Sequence, residues 1–297
     1  MKIILNGHEY TLLIGYQKDD SYRSAFNKLA VKTFNLSFDP WYESGYWKDK
    51  YIPYTLFDGE KAVANSSINI MDFNTFGEKK RYIQIGTVMT DVDYRNRGLN
   101  KFLLEKILED WNEKCHFIYL FANGTVLNFY PKFGFFRAKE YEYSKRIDSQ
   151  VIKTDLEQLN MDTQTNRDKL YDYAKNSVAF SALSMNENAY LVLFYCITVM
   201  KDCVFYIKSL DVIAIAKLDS HQLKLLDVFS KSEVNLDEVI KAFSHYQIDK
   251  VVLGFTPKDT STYESKEICN DDALFIQDGK TQLFDENKVM FPLLSHA

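Results

Sequence analysis

Apolar and polar positions change rhythm along the chain, and each change marks an element. MKIILNGHEYTLLIGY alternates on both sides of Asn6-Gly7, which predicts two strand segments joined by a turn. From Ser21 to Phe34 the spacing lengthens to that of a helix, with Phe26, Leu29, Ala30 and Phe34 on one face and Ser21 as N-cap. FDPWYESGYW is too irregular for one regular element. YIPYTLF and KAVANSSINIMDF, divided by Asp58-Gly59, read as a hairpin, and RYIQIGTVMT reads as the next strand. Leu99, Phe102, Leu103, Ile107, Leu108 and Trp111 form one helical face. HFIYLFAN predicts a buried strand, TVLNFYPKF a short helix, and GFFRAKEYEYS a closing strand. This order is mixed α/β.

IDSQVIKTDLEQLNMDT is polar and without a clear period, and it separates an expected domain 1–148 from a second, 149–297. The second half brings a helical stretch, Lys169–Leu183, and an apolar run, Ala189–Met200. The strands DCVFYIKSL, DVIAIAKL and LKLLDVFS follow, then the helix LDEVIKAFSHYQ and the strand KVVLGFTP. Hairpin, strand, helix, strand is the plan of the first half again. An internal duplication produces that pattern, and so does convergence on a common α/β layout.

Composition narrows the function classes. Hydrophobic residues make up 46% of the 297, enough for a large core. The apolar run Tyr190–Cys196 falls short of the ~20 residues a bilayer demands, so no membrane span is expected. MKIILNGHEY lacks the sustained apolar region and cleavage site of a secretory signal. Cys115, Cys196, Cys203 and Cys269 lie far apart, which predicts free thiols in a reducing, cytoplasmic setting rather than disulfides or a metal site. Net charge is −5, split into +2 for residues 1–148 and −7 for 149–297, with no basic stripe for nucleic acid.

One junction carries chemistry. In DVDYRNRGLNKFLL, residues 91–104, two arginines and a glycine stand where a strand ends and a helix begins. The first N–H groups of a helix lack intrahelical partners and gather partial positive charge, so they bind anions where backbone can approach closely. Gly98 allows that approach, and Arg95 and Arg97 add full charges and directed donors. The strand before it is Ile85-Gly86-Thr87-Val88-Met89-Thr90, and after the helix come N-x-x-V-x-x-F-Y-x-x-x-G-F, Asn123 to Phe135.

With these motifs the chain resembles the GNAT superfamily of acyl-CoA-dependent N-acetyltransferases over roughly residues 1–146. That family's Q/R-x-x-G-x-G/A signature is matched by Arg95 and Gly98, with Asn100 in the last place. Its second signature is matched by Asn123, Tyr130, Gly134 and Phe135, with Val126 where the family has Ala. The resemblance implies two GNAT-like domains, each a mixed, mostly antiparallel sheet flanked by helices, the second of them degenerate. It implies acetyl-CoA as cosubstrate, with its pyrophosphate on the backbone amides of Arg95, Asn96, Arg97, Gly98, Leu99 and Asn100, and its pantetheine arm along Val88 and Thr90. Met89, Lys101 and Asn123 border the same site. The amide of Val88 or a neighbour would polarise the thioester carbonyl. Tyr130 would be the general acid, and Glu43, among Trp41, Tyr42, Tyr46 and Trp47, a candidate base.

Those aromatics either line an acceptor pocket or pack over the sheet. The implied reaction is acetyl transfer to a primary amine of a small molecule in a ternary complex. The acidic second half favours a polyamine or aminosugar. A protein acetyltransferase and a non-catalytic acyl-CoA sensor are the alternatives. The second half would complete the acceptor cleft or form a homodimer. In some tandem relatives the final carboxylate, here on Ala297, reaches the active site. Cys115-His116, His221, His245 and His296 are isolated, and no metal or catalytic role is read for them.

Overall fold

A computed structural model describes residues 1–124, 126–147, 154–269 and 272–296. The expected domain boundary at 148/149 and the terminal Ala297 lie outside these described residues. The chain opens with β1 (Lys2–Leu5) and β2 (His8–Ile14), turning at Asn6-Gly7 as the alternation predicts. Helix α1 (Asp20–Phe34) starts one residue earlier than expected, because Asp19 rather than Ser21 caps it: its carboxylate accepts the N–H groups of Ser21 and Tyr22. A short α2 (Asp39–Glu43) follows. Then come β3 (Tyr51–Asp58), β4 (Lys61–Thr75), β5 (Glu78–Thr90), α3 (Leu99–Trp111) and β6 (Phe117–Ala122).

The expected closing strand GFFRAKEYEYS is two strands, β7 (Phe135–Arg137) and β8 (Tyr141–Arg146), and TVLNFYPKF gives only a single 3-10 turn at Tyr130–Phe133. The second half carries β9 (Leu156–Gln158), α4 (Gln164–Asn176), β10 (Leu183–Asn186) and α5 (Ala189–Thr198). It continues with β11 (Val204–Ile207), β12 (Val212–Asp219), β13 (Gln222–Phe229), α6 (Leu236–Lys241) and β14 (Lys250–Leu253). It ends with β15 (Glu264–Glu267), β16 (Ala273–Gln277) and α7 (Gln282–Asn287).

Two mixed, mostly antiparallel sheets result, and they exchange strands. The first runs β1-β2-β3-β4-β5-β6-β16-β7, with β10 added to β4; the second runs β15-β8-β14-β13-β12-β11-β9. Thus β8, from the first half, sits between β15 and β14, while β16, from the far end of the chain, sits between β6 and β7. The chain crosses between sheets at Ala138–Glu140. There Ala138 N–H bonds to Leu274 O and Glu140 Oε1 accepts Phe291 N–H at 2.8 Å, both partners being remote in sequence.

Each sheet has one parallel pair. In the first it is β5 with β6, and in the second β13 with β14. One face of the first sheet packs α3 through Ile83, Ile85, Leu103, Ile107 and Ile118. Its other face meets α1, α2, α4, α5 and α7 in one continuous core. The aromatic stretch is part of that core. Phe38, Trp41, Tyr46 and Trp47 are buried; Phe38 stacks on Phe194 of α5, and the Trp41 indole N–H bonds to Tyr190 O. These rings pack the two halves of the chain against each other.

Candidate functional site

β5 and β6 pair from Tyr82–Phe117 to Ile85–Leu120 and then diverge. Beyond that point β5 continues to Thr90 and β6 to Ala122, which leaves a fork between them. Gly86, Thr87 and Val88 are partly exposed there, although the strand is buried from Tyr82 to Ile85. On its other side β5 pairs with β4, and the ladder slips between Asn65 and Ser67, so Thr87 and Val88 bulge out. Thr87 takes φ 49°, an outlier for a β-branched residue. Asp91 N–H bonds to Val63 O across the β4 side. Strand groups alternate sides, so Met89 and Asp91 face β4 while the N–H groups of Val88 and Thr90 face the fork. Met89 also buries its side chain in the core.

At the top of β5 the chain turns through a 3-10 segment, Val92–Tyr94, capped by the Asp91 carboxylate. Burial works to raise the Asp91 pKa, but hydrogen bonds from Lys61, the Asp93 N–H and Lys32 outweigh it and bring the carboxyl down to about 2. Lys32 belongs to α1 and Lys61 starts β4, so this one anion ties three elements beneath the loop. Asn96 and Gly98 then adopt left-handed angles, φ 63° and 74°. The first helical bond of α3 runs from Phe102 N–H to Gly98 O, and no side chain caps the helix. The N–H groups of Leu99, Asn100 and Lys101 therefore have no intrahelical partner. A β-carbon built on Gly98 meets nothing within 4 Å, so the space over the loop is open.

The arginines divide the work. Arg97 lies over the Tyr94 ring and donates to Asp93 O, and Asn6 donates to Arg97 O, so this arm buttresses the loop. Arg95 gives its backbone N–H to Val92 O, while its exposed side chain, among the described residues, makes no hydrogen bond or ion pair and is free to meet an anion. Asn100 is helical, and its amide donates to Thr90 Oγ1 at 2.9 Å, tying the loop to the last residue of β5. Replacing Gly98 with Val forces a β-branched residue into the left-handed region, at about 1–2 kcal/mol of strain. Calorimetry with CoA is expected to show binding weakened about five- to thirtyfold, since about 1.4 kcal/mol is one decade.

Across the fork, Asn123 is exposed just after β6, and its carbonyl accepts Val126 N–H to begin the next turn. Tyr130 is buried against Phe129, Phe135 and Phe275, the last of them on β16. It shares with Ala122 the apolar cluster on the α3 side of the first sheet, and Val88 packs against that cluster. Burial pushes the Tyr130 hydroxyl up to about 12. Glu43 is exposed on α2 and, among the described residues, has no hydrogen bond or ion pair linking it to this site. His296, isolated in the sequence, stacks on Phe121 of β6 with ring centroids 3.8 Å apart, beside the fork. Cys115 gives its thiol to Trp111 O, and His116 is held against the Arg81 backbone; among the described residues no three metal-ligating side chains cluster.

The second sheet has the corresponding fork, and it is closed. Gly254 N–H bonds to Leu225 O at 2.7 Å, and Gly254 O accepts Leu293 N–H at 2.8 Å. A β-carbon at Gly254 would lie 2.8 Å from the Leu226 backbone and 3.1 Å from Leu293, so the C-terminal segment fills this wedge. The helix beyond it is spent as well. Asn235 caps α6 by accepting Asp237 N–H, and Asp237 and Glu238 place negative charge on its first turn. An anion is welcome at α3 and unwelcome at α6.

Residues 18–138 match the model of the acetyltransferase (GNAT) domain family. No curated protein matches the sequence. Solved structures resemble the whole fold at low identity. A conserved protein from Enterococcus faecalis V583, described as a probable N-acyltransferase, aligns with TM-score 0.60 and 13% identity over 93% of this chain and 74% of its own. A GCN5-related N-acetyltransferase from Kribbella flavida aligns with TM-score 0.54 and 12% identity over 90% of this chain and 71% of its own. Eis1 from Mycobacterium abscessus aligns with TM-score 0.54 and 13% identity over 91% of this chain and 74% of its own.

Proposed function

We propose, from the match of residues 18–138 to the GNAT acetyltransferase domain model, that the chain moves an acetyl group from acetyl-CoA to a primary amine of a small molecule. The observation that carries this reading is the forked β5–β6 pair, with the N–H groups of Val88 and Thr90 facing it beneath an uncapped helix end at Gly98. The helix end and Arg95 would receive the pyrophosphate, and the β5 edge would pair with the pantetheine arm.

Direct attack follows. The amine lone pair forms the C–N bond at the thioester carbon, and the developing oxyanion takes a hydrogen bond from Val88 N–H. The C–S bond then breaks, and Tyr130 gives its proton to the departing sulfur. The amine loses its own proton to water, with Glu43 as the carboxylate proposed to receive it. A Glu43→Gln enzyme that keeps full activity at neutral pH removes that residue from the scheme.

We take residues 1–148 as the catalytic unit and 149–297 as the unit that completes the acceptor side, its own fork being filled by Leu293. Among the described residues no helix is long and apolar enough to cross a membrane. Four free cysteines fit the cytoplasm, where we place the enzyme. Incubation with acetyl-CoA and a library of amines, scored by free thiol released, tests the proposal. Release with polyamines or aminosugars supports it. Release only with peptides makes the chain a protein acetyltransferase, and binding without release makes it a sensor.

A further inference from the structure

We propose that Asn65, a fully buried residue of β4, is a positioning residue that aims the Val88 amide into the fork; this rests on the acyl-transfer reading above. The Asn65 side-chain amide donates to Thr87 O at 2.8 Å and to Ser67 Oγ at 2.9 Å. Its Oδ1 accepts from Thr55 Oγ1 at 2.7 Å, and Thr55 Oγ1 lies 2.5 Å from the Tyr16 hydroxyl.

The directions of these bonds are forced. Thr87 O can only accept, so the NH2 end of Asn65 must face it and Oδ1 must face Thr55. Thr55 then spends its one proton on Asn65, which leaves Tyr16 to donate to Thr55. A directed relay thus runs from Tyr16 at the end of β2, through Thr55 of β3 and Asn65 of β4, to the peptide between Thr87 and Val88 of β5. Tyr51 adds a bond from its hydroxyl to Thr87 Oγ1 at 2.7 Å.

Every described peptide is trans, so the carbonyl of Thr87 and the N–H of Val88 point in opposite directions. With the carbonyl held toward β4, the N–H is held toward β6 and the open fork. Thr87 has to take φ 49° to allow this, a conformation that persists only where its surroundings impose it. Asn65 and Tyr51 impose it from two sides. A donor fixed in advance stabilises charge that appears only as the thioester is attacked, so its loss falls on turnover rather than on binding.

The test uses the full chain and acetyl-CoA labelled with 13C at the thioester carbonyl. In the wild type, binding is expected to lower the carbonyl stretching frequency in difference infrared spectra. Asn65→Leu is expected to return the band toward its position in solution and to cut kcat by about 10²-fold, while KM for acetyl-CoA is unchanged. Thr55→Val, which keeps the shape but removes the proton that orients Asn65, is expected to move the band in the same direction and to lower kcat less. A folded Asn65→Leu protein with the wild-type band and wild-type kcat overturns the assignment. Where Asn65→Leu fails to fold, the same result in Thr55→Val overturns it. A wild-type chain that does not bind acetyl-CoA overturns the acyl-transfer reading and this assignment together, whereas binding with a band indifferent to both substitutions overturns this one alone.

Discussion

Tyr130→Phe is expected to lower turnover with acetyl-CoA and amine by about 10²-fold or more, the usual contribution of a positioned proton donor, with CoA affinity unchanged. The substitution removes one oxygen and keeps the ring that packs on Phe129, Phe135 and Phe275, so the fold should tolerate it. The direction of proton transfer follows from the environment. Burial pushes the hydroxyl up to about 12, so it holds its proton throughout the neutral range and can serve as an acid, not as a base. Steady-state kinetics beside calorimetry of CoA checks this. Equal kcat in the two proteins would leave Tyr130 as a packing residue only.

The largest effect on stability is expected at Glu140. Burial raises this carboxyl to about 8, against the opposing pull of Phe291 N–H, so the folded protein holds a neutral acid where the unfolded chain holds an anion above its ordinary pKa of 4.5. A raised folded pKa contributes stability that is complete below the unfolded value and is lost as pH climbs through the folded one. Stability should therefore fall between about pH 4.5 and 8, by an amount on the order of 5 kcal/mol at ~1.4 kcal/mol per unit. Glu140→Gln keeps an oxygen for Phe291 N–H and carries no charge. Its urea midpoint should exceed that of the wild type at pH 8 and coincide with it near pH 4. Parallel curves across that range would show that the carboxyl is not neutral in the fold.

How much of this was legible in the sequence varies with the range of the interactions involved. β5, α3 and β6 could be read directly, because alternation, helical spacing and the Arg-rich turn are all local patterns. The helix end at Gly98 was readable for the same reason. The split of GFFRAKEYEYS was not. Its apolar rhythm suits one strand, and the break at Ala138–Glu140 is dictated by Leu274 and Phe291, which lie far along the chain. The cap of α1 was misread by two residues because Asp19 and Ser21 are both good caps. The bulge at Thr87 runs against the preference of a β-branched residue, so no propensity announces it. The chain of Tyr16, Thr55 and Asn65 draws on the segment after β2 and on two strands, and each residue alone looks like an ordinary polar group of a sheet. The stacking of His296 on Phe121 is likewise long-range, with nothing nearby in sequence to announce it.

The traded strands also bear on how this protein emerges from the ribosome. β6 finds its neighbour β16 about 150 residues later, Ala122 pairing with Ala273. Domains made early in synthesis ordinarily fold while the remainder is still being translated. Here the first sheet stays open at β6 until residue 277 has been made, and the second sheet draws β8 back from the earlier half. Neither sheet can therefore be completed within its own half of the chain: the first waits for β16, and the second joins β8 of the first half to strands made later, the last of them β15.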